Sequence, residues 1–220
     1  MAKPVLVIGN KNYSSWSLRP YMMLAMASIA FDEKLIHFGE PEFGIAVRKV
    51  SAAARVPVLL HNGNTVWDSL AIMEYLAETF PKKLIWPKNK KARALARSAS
   101  AEMHSSFGGI RNACPMNLRR PIKLPPGGVT EATQKDVTRI ESLWAQCRKT
   151  YGQGGPFLFG KFTAADAMFA PVVARLETFA IPVKPEARRY MDAVMKTAAF
   201  QNWKTAALKE PWVVPDDEVD

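Results

Sequence analysis

The chain has 220 residues, 48% of them hydrophobic and 23% charged, with a formal net charge of +10. This ordinary globular composition excludes a disordered chain. No apolar run approaches the roughly 20 residues that cross a bilayer, and two cysteines, Cys114 and Cys147, exclude a disulfide scaffold.

The first apolar run, residues 3–8, reads as a strand. The next, up to residue 30, reads as a helix, and Ser14, Ser15 and Ser17 lie at the corner between them. Proline is tolerated in the first helical turn, where amides lack intrahelical partners. Ser17 is therefore the expected N-cap, which puts Pro20 at the third helical position. Ser14 and Ser15 then face the positive end of the helix, a place suited to holding an anion. Residues 32–38 suit a second strand, and 41–50 a weaker helix starting near Pro41. The runs 56–61 and 64–67 flank Asn62-Gly63, a strong two-residue hairpin signal. Residues 69–80 form a third helix, for which Asp68 and Ser69 are both acceptable caps. The order β-α-β-α-β-β-α, with a right-handed crossover making strands one and two parallel and the turn making the last two antiparallel, predicts a thioredoxin-like α/β unit over 1–81.

Residues 82–91 are polar and proline-marked, and a linker is expected there. An all-α domain over 92–220 follows. Ala92, Leu95, Ala96, Ala99, Met103, Phe107 and Ile110 step by three and four along one long helix. The proline-rich residues 115–128 read as a loop, and Val137, Ile140, Trp144, Cys147 and Tyr151 mark a second long helix. Thr163 and Asp166 form a capping-box pair at the head of a third, which Pro171 should kink. Pro185 opens a helix through 194, and residues 200–203 lead the last. Neither cysteine has a second Cys or a clustered His beside it, so no metal site is expected. The absence of a basic leader with a long apolar core points to a cytoplasmic protein. The densest basic patches, residues 88–93 and Arg119-Arg120, lack interleaved aromatics, zinc spacing or a helix-turn-helix pattern. They read as solvated surface, with neither nucleic acid nor membrane as partner.

Val56-Pro57 before the hairpin, Asp68-Ser69-Leu70-Ala71-Ile72 at the third helix and the box inside Phe162-Thr163-Ala164-Ala165-Asp166-Ala167 resemble the cytosolic glutathione transferases. The run Ser14-Ser15-Trp16, with Arg19 five residues after Ser14, is similar in part to the zeta class of that family, in which a cysteine stands where this chain has Trp16. The resemblance implies a bacterial, serine-type glutathione transferase. It implies a cis Val56-Pro57 bond, with the Val56 backbone pairing the tripeptide's cysteinyl unit as an added strand. It also implies that Asp68 and Ser69 hold the γ-glutamyl end, that Arg55 lies near the glycine carboxylate, and that His37 and Lys49 are possible helpers. Ser14, or second Ser15, donates a hydrogen bond to the glutathione sulfur and stabilises its thiolate. The implied electrophile groove lies between the domains, with Trp16, Met103, Phe107, Arg111 and Met116 as candidates. Glutathione is then a co-substrate joined to small hydrophobic electrophiles by a homodimer active in detoxification. A maleylacetoacetate-type isomerase, a peroxidase and a non-catalytic binding or regulatory protein are the alternatives. Because residues 1–113 contain no cysteine, disulfide exchange on a protein thiol is not expected at this corner.

Overall fold

A computed structural model describes residues 2–38 and 43–219. Its first part contains β1 (Val5–Ile8), α1 (Ser15–Met26), β2 (Asp32–Leu35), α2 (Phe43–Arg48), β3 (Val58–His61), β4 (Asn64–Trp67) and α3 (Ser69–Thr79). The sheet order is β2-β1-β3-β4, with β1 and β2 parallel and the other two pairs antiparallel. Side chains alternate across β1, as strand geometry requires. Leu6 and Ile8 join the main core with α1 and α3 residues, whereas Val7 packs with Ile36, Val47 and Val58 beneath α2. The hairpin turn has positive φ at both Asn62 (49°) and Gly63 (77°), the combination that asparagine and glycine accept best. β2 is an exposed edge strand, and its charged sequence Asp-Glu-Lys discourages pairing with another chain.

The second part is helical: α4 (Lys90–Ser105), α5 (Gly108–Ala113), α6 (Glu131–Tyr151), α7 (Ala164–Thr178), α8 (Pro185–Met195) and α9 (Ala198–Ala207), then a 3₁₀ turn, Pro215–Asp217. Residues 80–89 connect α3 to α4, so the last two residues of the expected linker, Lys90 and Lys91, belong to α4. α7 is apolar and buried nearly all round, and it packs on α1, α4 and α8, so one hydrophobic core runs through both parts. Asp166 closes the capping box on Thr163 and also accepts from the Leu158 amide at 2.9 Å. The helix runs unbroken past Pro171.

Three local expectations change. The cap of α1 is Ser14, whose hydroxyl accepts from the Ser17 amide, so Pro20 sits in the helix interior at its sixth position. Ser17 is drawn inward instead, because its hydroxyl accepts from the Gly9 amide at 3.1 Å and ties the helix to the end of β1. The long helix expected through Ile110 is broken at Phe107, which adopts a left-handed conformation (φ 66°). Beyond the break, Gly109 lies so close to α6 that a Cβ would stand 2.6 Å from the backbone of Ala132. The second helix is seen over Phe43–Arg48, and its expected start at Pro41 lies outside the described residues.

Candidate active site

The corner after β1 is held from outside before it reaches the serines. Glu210, just past α9, accepts from the Lys11 amide at 2.7 Å and the Asn12 amide at 3.0 Å. Trp203 donates to the Lys11 carbonyl, and Asn12 exchanges hydrogen bonds with Asn117 and the Arg119 amide. Tyr13 donates to Glu218 at 2.5 Å and accepts from Arg119 at 2.7 Å. Asn10 accepts from the Phe38 amide.

This corner forms one wall of a cavity of about 850 Å³. Tyr13, Ser14, Ser15 and Trp16 line it on the α1 side. Ala53, Ala54, Arg55, Val56 and Pro57 line it on the β3 side, where the Val56-Pro57 bond is cis. Trp67 comes from the end of β4, Asp68 and Ser69 from the head of α3, and Phe38 and Phe43 close another edge. His104 of α4, Arg175 of α7 and Asp217 of the terminal turn complete it.

The two serines are used differently. Ser14 donates to the Ser17 hydroxyl at 2.7 Å while capping the helix. Ser15 accepts from the buried Arg175 guanidinium at 3.2 Å, and among the described residues its own proton goes to no acceptor. Arg175 is otherwise anchored on the carbonyls of Cys114 and Arg111. Burial, and next the nearby Arg111, bring its pKa down to about 10, so it stays a cation at neutral pH.

Asp68, at φ 76°, caps α3 through one carboxylate oxygen, bound by the Leu70 amide at 2.8 Å. Its other oxygen faces His104 Nε2 at 3.3 Å. Burial keeps the pKa of His104 below the usual histidine value, outweighing the Asp68 charge that raises it. Ser69 accepts from the fully buried Arg19 at 3.1 Å. The Trp16 ring has Arg19 at 4.1 Å and Arg111 at 5.1 Å from its centroid, and the edge of His104 at 5.2 Å.

Ser14, Ser15, Trp16, Arg55, Val56, Pro57, Asp68 and Ser69 therefore meet at one cavity. Met103, Phe107, Arg111 and Met116 do not line it. Met103, on the buried face of α4, Phe107 and Met116 are all buried in the main core. Arg111 is spent on the Met103, His104 and Ser106 carbonyls at the end of α4 and reaches the cavity only through Trp16. His37 stacks on Trp212 and Lys49 is exposed, and neither lines the cavity. Periodicity did not point to His104, Arg175 or Asp217. Arg175 carried the one usable signal, a cation inside an otherwise apolar helix. Among the described residues no cluster of three or more His, Cys, Asp or Glu could hold a metal ion, and no helix is long and apolar enough to cross a membrane. Burial raises the thiols of Cys114 and Cys147 to about 11 and about 12, which makes them poor nucleophiles.

The family model described as Glutathione S-transferase, N-terminal domain matches residues 13–79, and the one described as Glutathione S-transferase, C-terminal domain matches residues 130–200. Similar curated proteins include a probable maleylacetoacetate isomerase from Caenorhabditis elegans, 27% identical over 83% of each chain. A glutathione S-transferase from Triticum aestivum is 26% identical over 91% of this chain and 92% of its own. Among solved structures, a diazinon-metabolizing glutathione S-transferase of the silkworm Bombyx mori superposes with a TM-score of 0.72 at 17% identity, covering 94% of this chain and 98% of that one. A Burkholderia glutathione transferase homolog with bound glutathione gives a TM-score of 0.68 at 22% identity, covering 94% and 98%. The chain belongs to the glutathione S-transferase family.

Proposed function

We propose that this protein binds glutathione in the cavity, lowers the pKa of its thiol and conjugates it to small electrophiles. The observation that carries this reading is Ser15 at the head of α1, its hydroxyl bound by the buried cation of Arg175 and its proton unspent. A thiol of pKa about 8.5 moved down by about two units requires roughly 2.7 kcal/mol. A hydrogen bond to the thiolate contributes about 1.5–3 kcal/mol. The helix terminus adds about 0.3–1 kcal/mol. The thiol proton leaves to solvent. The sulfur lone pair forms a C–S bond at the electrophilic carbon, and the leaving group departs with its bonding pair.

Ser15, rather than Ser14, is the donor in this reading, since Ser14 already caps the helix and donates to Ser17. The α3 head supports placing the γ-glutamyl group at Asp68 and Ser69: the positive end of the helix suits its carboxylate, and the outer Asp68 oxygen suits its ammonium. Val56 meets the cysteinyl backbone, and the exposed Arg55 lies toward the glycine carboxylate.

The curated relatives named maleylacetoacetate isomerase favour a second reading, a glutathione-dependent isomerase. There the same thiolate would add to a double bond and leave again after rotation. We also read the protein as a cytoplasmic homodimer with a detoxifying role, which light scattering tests for assembly.

The pH dependence of thiolate absorbance with glutathione bound tests the mechanism. Ser15→Ala should raise the apparent thiol pKa by about two units, whereas Ser14→Ala should leave it in place and cost about 1 kcal/mol of stability as a lost cap. A shift in Ser14→Ala alone reverses the assignment, and a shift in neither refutes it.

A further inference from the structure

We propose that Asp217 sets the charge selectivity of the acceptor end of the cavity, so that neutral acceptors are taken in preference to carboxylate-bearing ones. This rests on the reading of the cavity as the meeting place of thiolate and acceptor.

Asp217 lines the cavity wall that also carries Ser15 and Arg175. It interacts with Arg175 through space, and among the described residues no ion pair joins them directly. It does not hang loose. The turn that carries it is closed by the Asp217 amide on the Val214 carbonyl at 3.0 Å. The next residue, Glu218, is fastened to Tyr13, and Val219 packs on the main core while its carbonyl accepts from Arg120 at 3.3 Å. The backbone that carries the charge is therefore tied down on both sides, which keeps Asp217 at this wall when an acceptor enters. Partial burial works against its ionisation and Arg175 works for it.

Charge counting in the resting cavity gives two cations, Arg55 and Arg175, against two anions, Asp68 and Asp217. Arg55 and Asp68 face the tripeptide in the proposed reading, which leaves Arg175 against Asp217 at the acceptor end. His104 adds little at neutral pH, since its pKa lies below the usual value. Once a thiolate forms beside Ser15, Arg175 is already compensated. Asp217 is then an excess negative charge, with Asp216 and Glu218 beside it. An acceptor that brings its own carboxylate meets net repulsion, and one without charge does not. The relatives named maleylacetoacetate isomerase have a substrate whose name denotes an anion, so the same carboxylate would separate the two readings above.

The test uses two acceptors that share a reacting ring, 4-chloro-3-nitrobenzoate and 4-chloro-3-nitrobenzamide. Each is titrated against indole fluorescence, Trp16 and Trp67 being in the cavity wall. Saturating glutathione sulfonate, whose anionic sulfonate stands in for the thiolate and cannot attack, prevents turnover. Wild type should bind the amide about fivefold more tightly than the benzoate, and Asp217→Asn should bring the ratio near one, consistent with a charge pair in a partly screened site. Asp217→Ser should do the same, guarding against an effect peculiar to asparagine. Asp216→Asn, at an exposed position outside the cavity, should keep the wild-type ratio. A wild type that prefers the benzoate, a ratio unmoved in both Asp217 variants, or no binding of either compound overturns the proposal. Turnover of the same pair with glutathione is measured separately. Selective binding without conjugation would refute the transferase reading and leave the charge selectivity standing.

Discussion

Arg19 has no exposed surface, its Nε atom lacks a hydrogen-bond partner, and burial, followed by repulsion from Arg111 and Arg175, brings its pKa down to about 9. A buried cation so poorly compensated is weak evidence for stability. What it does is reach Ser69 at 3.1 Å and stack on Trp16, both in the cavity wall. Arg19→Met, which keeps an unbranched apolar stem and drops the charge, should therefore leave the stability in urea within about 1 kcal/mol of wild type. Calorimetry should show glutathione affinity falling about tenfold, the worth of one lost charge-assisted contact to Ser69. Unchanged affinity would mean that Arg19 serves the fold alone. Lysine is a poor replacement, since it lacks the planar fork that meets the hydroxyl and the indole together.

At the scale of the element, α7 shows how a polar group is kept inside an apolar helix. Asp166 is wholly buried, and its pKa is raised from 3.8 to about 6, chiefly by burial, against the Leu158 and Thr163 bonds that lower it. The folded state therefore binds this proton more tightly than the unfolded chain does. Its contribution is complete below pH 3.8 and lost as the pH rises through about 6, a span worth up to about 3 kcal/mol. Denaturation midpoints should fall across that window and flatten above it, and Asp166→Asn should remove the slope. The break between α4 and α5 makes a second case. Gly109→Ala would drive a methyl into the Ala132 backbone and should cost about 1–3 kcal/mol. The hairpin, the capping box and the serine corner were legible because each is made by neighbours in sequence, Asn62-Gly63, Thr163 with Asp166, and Ser14-Ser15. The break was not read, because an even step of apolar residues ran straight across Phe107, although the Gly108-Gly109 pair beside it disfavours a continuous helix. Trp16 lines the cavity, while Met103 and Phe107, equally apolar, pack into the core, Met103 with the buried face of α4.

For the whole molecule, the stretch that shapes the site is the one least able to shape itself. Residues 9–13 form neither helix nor strand, and the Lys11 and Asn12 amides are satisfied from far along the chain. Glu210 takes two of them, Trp203 and Asn117 bind their neighbours, and Glu218 holds Tyr13. No sequence pattern could have announced these contacts, since their partners lie 105 to 205 residues away. They make the helical part a splint for the thiolate corner. Glu210→Ala would leave the Lys11 and Asn12 amides unpaired in a largely buried place, at a cost of about 1–3 kcal/mol each. Glu210→Gln keeps one acceptor oxygen and should cost less. If the corner is splinted from this end, kcat/KM for conjugation should fall about tenfold in Glu210→Ala although the residue does not line the cavity, because a misplacement of about 1 Å at a reacting centre has effects at least that large. The thiol pKa of bound glutathione should rise in the same variant and recover partly in Glu210→Gln. A lowered melting temperature with full activity and an unshifted thiol would show instead that this end of the chain adds stability and leaves the corner's shape to α1 itself.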